Sequence, residues 1–136
     1  MAKVYGIYGD NKCKREINTY IGQSAFSKPT LTRGNVWTIF TGLKQGLYLI
    51  IGTISATASY ECFLDAGAYD VNSEEKRKTT YSLRNGENCI GYSGIVNIGT
   101  DGGSIKASIQ NIVKPDGSTS ATVKDISANF ELIRLV

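Results

Sequence analysis

The chain has 136 residues, 41% of them hydrophobic and 20% charged, with 15 glycines, eight tyrosines and a formal charge of +3. Such a length holds one domain with a core of its own, and such a composition excludes a disordered chain. Fifteen basic side chains dispersed among 12 acidic ones build no dense field for a nucleic-acid backbone, and the longest apolar run, residues 47–51, is far below the roughly 20 residues that span a bilayer.

The first residues, MAKVYGIYGDNKCKRE, hold glycines and charges where a secretory leader would be apolar, which predicts synthesis in a cytoplasm without export by that route. Within them KVYGIY and CKREIN flank the turn GDNK and predict a short hairpin. Residues 17–34, INTYIGQSAFSKPTLTRG, are rich in Ser, Thr and Gly, contain Pro29 and read as a long loop. NVWTIFT follows as a strand, and GLYLIIGTISA with YECFLDAGAY is expected to form a pair. NSEEKRK, residues 72–78, reads as a charged loop with one helical turn capped by Ser73. TTYSLR and ENCIGYS are separated by Asn85 and Gly86, a strong two-residue hairpin signal. GIVNI and SIKASIQNI surround GTDGG, and SANFELIRLV follows the turn KPDGSTS. Helical periodicity is nearly absent, while eight or nine strands at spacings of about a dozen residues predict a sandwich, jelly roll or barrel.

Two strands have informative periodicity. In GSIKASIQNI, Ile105, Ala107 and Ile109 alternate with Ser104, Lys106, Ser108 and Gln110, so one face is buried and the other wet. In GLYLIIGTISA, Tyr48, Ile50 and Ile54 share one face, and Leu47, Leu49 and Ile51 share the other, so both faces are apolar through the first half. A strand of that kind normally sits in a parallel sheet between helices, and no helices are available. The cover must be the loop 17–34 or another copy of the chain. Leu47, Leu49 and Ile51 are the expected oligomer interface and the Tyr48 row the expected core, although a slip of one residue exchanges the two.

Chemistry is sparse. The absence of histidine excludes a Ser-His-Asp or Cys-His arrangement, and Cys13, Cys62 and Cys89 form an odd set with no C-x-x-C pair, so no metal or other cofactor is expected. Cys62 and Cys89 read as buried free thiols, and Cys13, beside a charged turn, as exposed. Glu61 and Asp65 lie on one strand face, but four residues at ~3.3 Å each separate their backbones by roughly 13 Å, too far for ready cooperation in a glycosidase. Asp101 and Asp116 each offer a single carboxylate, a weak calcium set. Lys76, Arg77 and Lys78 follow Glu74 and Glu75 and read as locally neutralised. Trp37, Tyr60, Tyr69, Tyr81 and Tyr92 suit a core or an interface better than a ligand platform. Should a sugar site exist, Tyr69 beside Asp70, and Tyr92 beside Ser93, are the loop-proximal candidates.

The succession GLYLIIGTISATAS, GENCIGYSGIVNIGTDGGSIKASIQNI and ANFELIRLV resembles the trimeric jelly-roll heads of phage tail-tip and fibre proteins, which are akin in shape to tumour-necrosis-factor and C1q-like domains. The N-terminal residues are similar to those of small tail proteins in phages of Gram-positive hosts. The resemblance implies a homotrimer whose strand 46–54 carries apolar residues to the axis, and adhesion without enzymatic turnover. Only about 35 residues precede the first firm strand, where such heads usually follow a long stem, which leaves receptor-binding head and accessory tail component both open.

The expectation is thus an all-β, single-domain antiparallel β-sandwich of jelly-roll type, trimeric, with an N-terminal hairpin and loop over 1–34 and the head over 35–136. Its expected place is the virion tail, after synthesis in the host cytoplasm, with other tail proteins and host cell-wall polysaccharide as partners and neither nucleic acid nor membrane insertion. A purely structural decoration or baseplate connector is the rival, and a small polysaccharide-acting enzyme the more distant one.

Overall fold

Period-two alternation between glycine-containing corners builds nine strands in the described part of the chain. A computed structural model describes residues 3–8, 10–31, 34–73, 76–118 and 121–136, with side chains from residue 19 onward, Asn111 excepted. The strands are β1 (Lys3–Tyr8), β2 (Asp10–Leu31), β3 (Gly34–Leu43), β4 (Gly46–Ala58), β5 (Cys62–Asp70), β6 (Thr79–Leu83), β7 (Gly86–Ile98), β8 (Gly103–Val113) and β9 (Val123–Arg134). They form a five-stranded sheet, β1-β2-β9-β4-β7, and a four-stranded sheet, β3-β8-β5-β6, and every paired neighbour is antiparallel. Apart from β1 to β2 and β5 to β6, each connection carries the chain from one sheet to the other. That alternation is the jelly-roll arrangement. Among the described residues no helix is long and apolar enough to cross a membrane.

Two expected pairings are corrected by this topology. β4 and β5 lie in different sheets. The Asn85-Gly86 turn does not close a hairpin either: β6 pairs with β5, β7 pairs with β4, and the turn is a corner between sheets. Gly86 takes φ of 105°, open to glycine at little steric cost. The Asn88 side chain then replaces the missing ladder, accepting from Arg84 N at 3.2 Å and donating to Arg84 O at 2.9 Å.

The stretch expected as a loop, 17–34, is largely strand. From Thr19 to Leu31, β2 runs against β9 from Arg134 to Val123, with one register shift between Tyr20 and Gly22. Pro29 is tolerated because β1 pairs no further along β2 than Thr19, leaving the edge open there. On its other side β9 bulges around Asp125, whose φ is 50°. The N-terminal hairpin of β1 and β2 is present, although its turn residue Gly9 lies outside the described residues. The predicted helical turn at 72–78 includes Glu74 and Glu75, also outside them; Val71 and Asn72 form a turn and 76–78 are irregular.

The core lies between the sheets. Tyr48, Ile50 and Ile54 of β4 face Leu64 of β5 and Ile105, Ala107 and Ile109 of β8, all buried, as the alternation of β8 predicts. Phe26 of β2 stacks on Trp37 of β3 at 4.0 Å between ring centroids and closes one side. Replacing the fully buried Ile50 by Ala is expected to cost about 2–5 kcal/mol, while Ile95→Ser, on the outer side of β7, changes stability of the isolated chain by less than about 0.5 kcal/mol. Urea unfolding of both variants checks the assignment.

Candidate functional site

Among the described residues, at least three places on this scaffold carry uncommitted surface or grouped polar side chains. The first is the outer side of the five-stranded sheet at the end where β4 begins. Leu49 pairs with Ile95 of β7 on one edge and with Ile133 of β9 on the other, and Tyr20 of β2 stands opposite Ile133. Leu47 lies beside Leu135, whose amide donates to its carbonyl at 2.7 Å. Leu47, Leu49 and Ile51 are half-buried and Ile95 is 62% exposed, so the row is apolar and open to solvent. Since 19–31 is itself a strand in the plane of this sheet, that part of the expected loop does not lie over the row.

The second place is a cavity of ≈ 220 Å³ where β5 ends against β7, lined by Tyr69, Asp70, Ser73, Arg77 and Asn97 among others. It brings together two residues singled out in the sequence, and both are buried. Tyr69 is 7% exposed and lies under the returning segment 76–78, with the Lys76 ammonium 5.5 Å from its ring centroid. Asp70 is 8% exposed and closes the turn that follows β5: Asn72 N donates to its carboxylate at 3.1 Å and Ser73 N to its carbonyl at 3.0 Å. Lys78 continues the segment across the sheet by donating to Gln110. Tyr92 lies elsewhere, between the sheets, 9% exposed, where its hydroxyl accepts from Ala68 N at 2.9 Å and its ring meets Phe130 edge-on. Proximity to loops in the sequence did not translate into exposure, because the loop after β5 folds back onto the strand.

The third place was not signalled by any motif. Farther along the outer side of the five-stranded sheet lies an open depression of ≈ 560 Å³, lined by Ile51, Thr53, Gly91, Ser93, Asn129 and Glu131. Gly91, Thr53 and Asn129 are paired across β7, β4 and β9, as are Ser93, Ile51 and Glu131. Its traces in the sequence were Tyr92 beside Ser93, both of which line it, Ile51 of the two-faced strand, and a glycine inside a strand, which costs about 0.5–1 kcal/mol relative to Ala.

The remaining candidates are bound into the fold. The Asp65 carboxylate accepts from the Thr80 hydroxyl at 2.6 Å, and Glu61 is exposed at the corner before β5. Asp101 accepts from Gln45 N at 2.8 Å; Asp116 accepts from Ser118 N at 2.9 Å, which holds its carboxyl below the usual range. Lys114 sits over the exposed Tyr60 ring at 4.0 Å. Cys62 is buried as expected, whereas Cys89 is exposed, because its pairing with Ser55 places it on the outer row of β7. The Cys13 side chain lies outside the described residues. Among the described residues no group of three or more Cys, Asp or Glu could hold a metal ion.

No protein-family model and no curated protein sequence matches the chain. Among solved structures it is similar to VP2 in the infectious bursal disease virus subviral particle, at 18% identity and TM-score 0.58, over 98% of this chain and 37% of that one. The capsid chain in the complete particle of the same virus matches at 14% identity and TM-score 0.54, over 98% and 40% respectively. A carbohydrate-binding module, CBM4, matches at 13% identity and TM-score 0.40, over 82% and 89%. The chain therefore spans about two fifths of the length of the capsid proteins it matches, and the likeness to them is one of fold.

Burial raises the pKa of the Cys62 thiol above its ordinary 9.0 and those of the Tyr48 and Tyr92 hydroxyls above 10.0; for Tyr48, Arg134 partly opposes the shift. Each folded-state pKa lies above its unfolded value. The stability these groups contribute is therefore fully present below the ordinary values and is lost as pH rises through the folded ones. The urea midpoint is expected to fall above pH 9.0, and Cys62→Ala is expected to flatten the first part of that fall.

Proposed function

We propose that this chain is a non-enzymatic virion protein of a phage tail, assembled as a homotrimer, that contacts saccharide on the host cell wall. The observation that carries the reading is the apolar row Leu47, Leu49, Ile95 and Ile133, left without a strap by the described residues, on a jelly-roll sheet. Of the two covers the sequence allowed, the described part of the loop is a strand in the same sheet, which favours a second copy. Leu47, Leu49 and Ile51 are then interface residues, and the fold likeness to viral capsid proteins supports assembly in a virion. The Asp65 carboxylate, already held by Thr80, favours a non-enzymatic role over one in which Glu61 and Asp65 cleave polysaccharide.

The purely structural alternative, a decoration or connector, shares the assembly and lacks the ligand. Size-exclusion with light scattering is expected to give about three times the 14.7 kDa of the chain, and Leu49→Glu to give monomer. A monomeric unmodified chain at micromolar concentration overturns the trimer. Co-sedimentation with purified Gram-positive cell walls separates the two roles, since a connector is not retained.

A further inference from the structure

We propose that the depression around Gly91 is the saccharide-contacting site and that its ligand is an uncharged, polyhydroxylated glycan; this deepens the saccharide reading and rests on it. The first observation is the glycine itself. Gly91 sits in the interior of β7, is not among the glycines with φ in the left-handed region, and a Cβ built on it meets nothing within 4 Å. Neither backbone strain nor crowding calls for glycine there. What its missing side chain provides is room on the outer face, the kind of position where a ligand can approach a sheet closely.

The second observation is the chemistry around that gap. Thr53, Ser93, Asn129 and Glu131 are exposed, and among the described residues no intramolecular hydrogen bond engages their side chains. They stand on three adjacent strands spaced about 4.8 Å apart, so their polar ends form a small fixed grid. Two hydroxyls, an amide and a carboxylate offer both donors and acceptors, which matches groups that each donate and accept, as sugar hydroxyls do. Ile51, between Ser93 and Glu131 in the register, ends the apolar row and marks the edge of the depression.

Charge selects within that class. The lining has one carboxylate, Glu131, and no cation, so a polyanionic chain is repelled and a neutral one is not. The cavity at Tyr69 and Asp70 differs in each respect: it is smaller, it includes Arg77, and Asp70 is engaged in its own turn.

Because a side chain at position 91 enters open space, Gly91→Tyr fills the depression without disturbing the packing behind it. The test is affinity electrophoresis of the full chain in gels carrying neutral galactomannan, neutral mixed-linkage glucan or anionic hyaluronan, with circular dichroism and urea midpoints confirming that the variants fold. The unmodified chain is expected to be retarded by at least one neutral polymer and not by hyaluronan. Gly91→Tyr and Asn129→Ala are expected to weaken that retardation tenfold or more. Equal retardation of the unmodified chain and Gly91→Tyr overturns the site, and retardation by hyaluronan overturns the ligand class. Cell walls that retain both proteins equally overturn the site while leaving the saccharide reading standing; walls and gels that retain neither overturn that reading, and the site with it. Walls that retain only the unmodified chain support the site where no gel retards either protein.

Discussion

β4 is hydrogen-bonded along both of its edges, to β7 from Gly46 to Ala58 without a register shift and to β9 from Tyr48 to Ala58 with one bulge. That double pairing decides which side chains face inward. With the register held, Tyr48, Ile50 and Ile54 enter the core and Leu47, Leu49 and Ile51 stand outside; a slip of one residue would bury Thr53 and Ser55 and expose the core row. The outer side of the sheet inherits its layout from the same register. Its apolar row and its polar depression are consecutive stretches of β4 read with their partners on β7 and β9.

The two sheets are unequal in what they leave free. Over the four-stranded sheet, the segment 76–78 lies against Gly67, where a Cβ would come within 2.3 Å of the Arg77 carbonyl oxygen. Ser108, paired with Gly67, is 1% exposed and its hydroxyl has no partner among the described residues. The five-stranded sheet has no comparable strap among the described residues of that face. The proposed partner and ligand contacts both fall on it, the first at the start of β4 and the second past Ile51.

Strand content and fold class were legible because alternation and glycine-rich corners are local signals. β8 shows this most simply, with Ile105, Ala107 and Ile109 inward as its sequence reads. Pairing was not legible. Asn85-Gly86 states that the chain turns there, but which sheet receives the next strand is decided by burial on the far side, and Asn88 closes the corner in place of a ladder. Residues 19–31 were read as loop because Ser, Thr and Pro29 depress strand propensity; an unpaired edge beside Pro29 and a bulge in β9 make room for them. At the candidate sites, Tyr69 and Asp70 were found as neighbours and Tyr69 is buried in line with the core reading of the tyrosines, but the cover over them, the fold-back after β5, is a tertiary event. The depression at Gly91 could not be assembled from the sequence, although Tyr92, Ser93 and Ile51 were each named, because its residues are adjacent only through the order β9-β4-β7.

The alternation of consecutive strands between sheets bears on how the molecule is made. Thr19 pairs with Arg134 and Tyr48 pairs with Arg134 as well, so the central sheet joins segments far apart in the chain. Closing such long loops must precede the contacts that reward it, which places folding among the slow, non-local β topologies of about milliseconds to seconds. Until β9 has left the ribosome, β2 lacks its main partner and one edge of β4 stays bare. A chain with that wiring spends its synthesis with its most apolar strand half-paired, which leaves that strand open to the same strand of neighbouring copies.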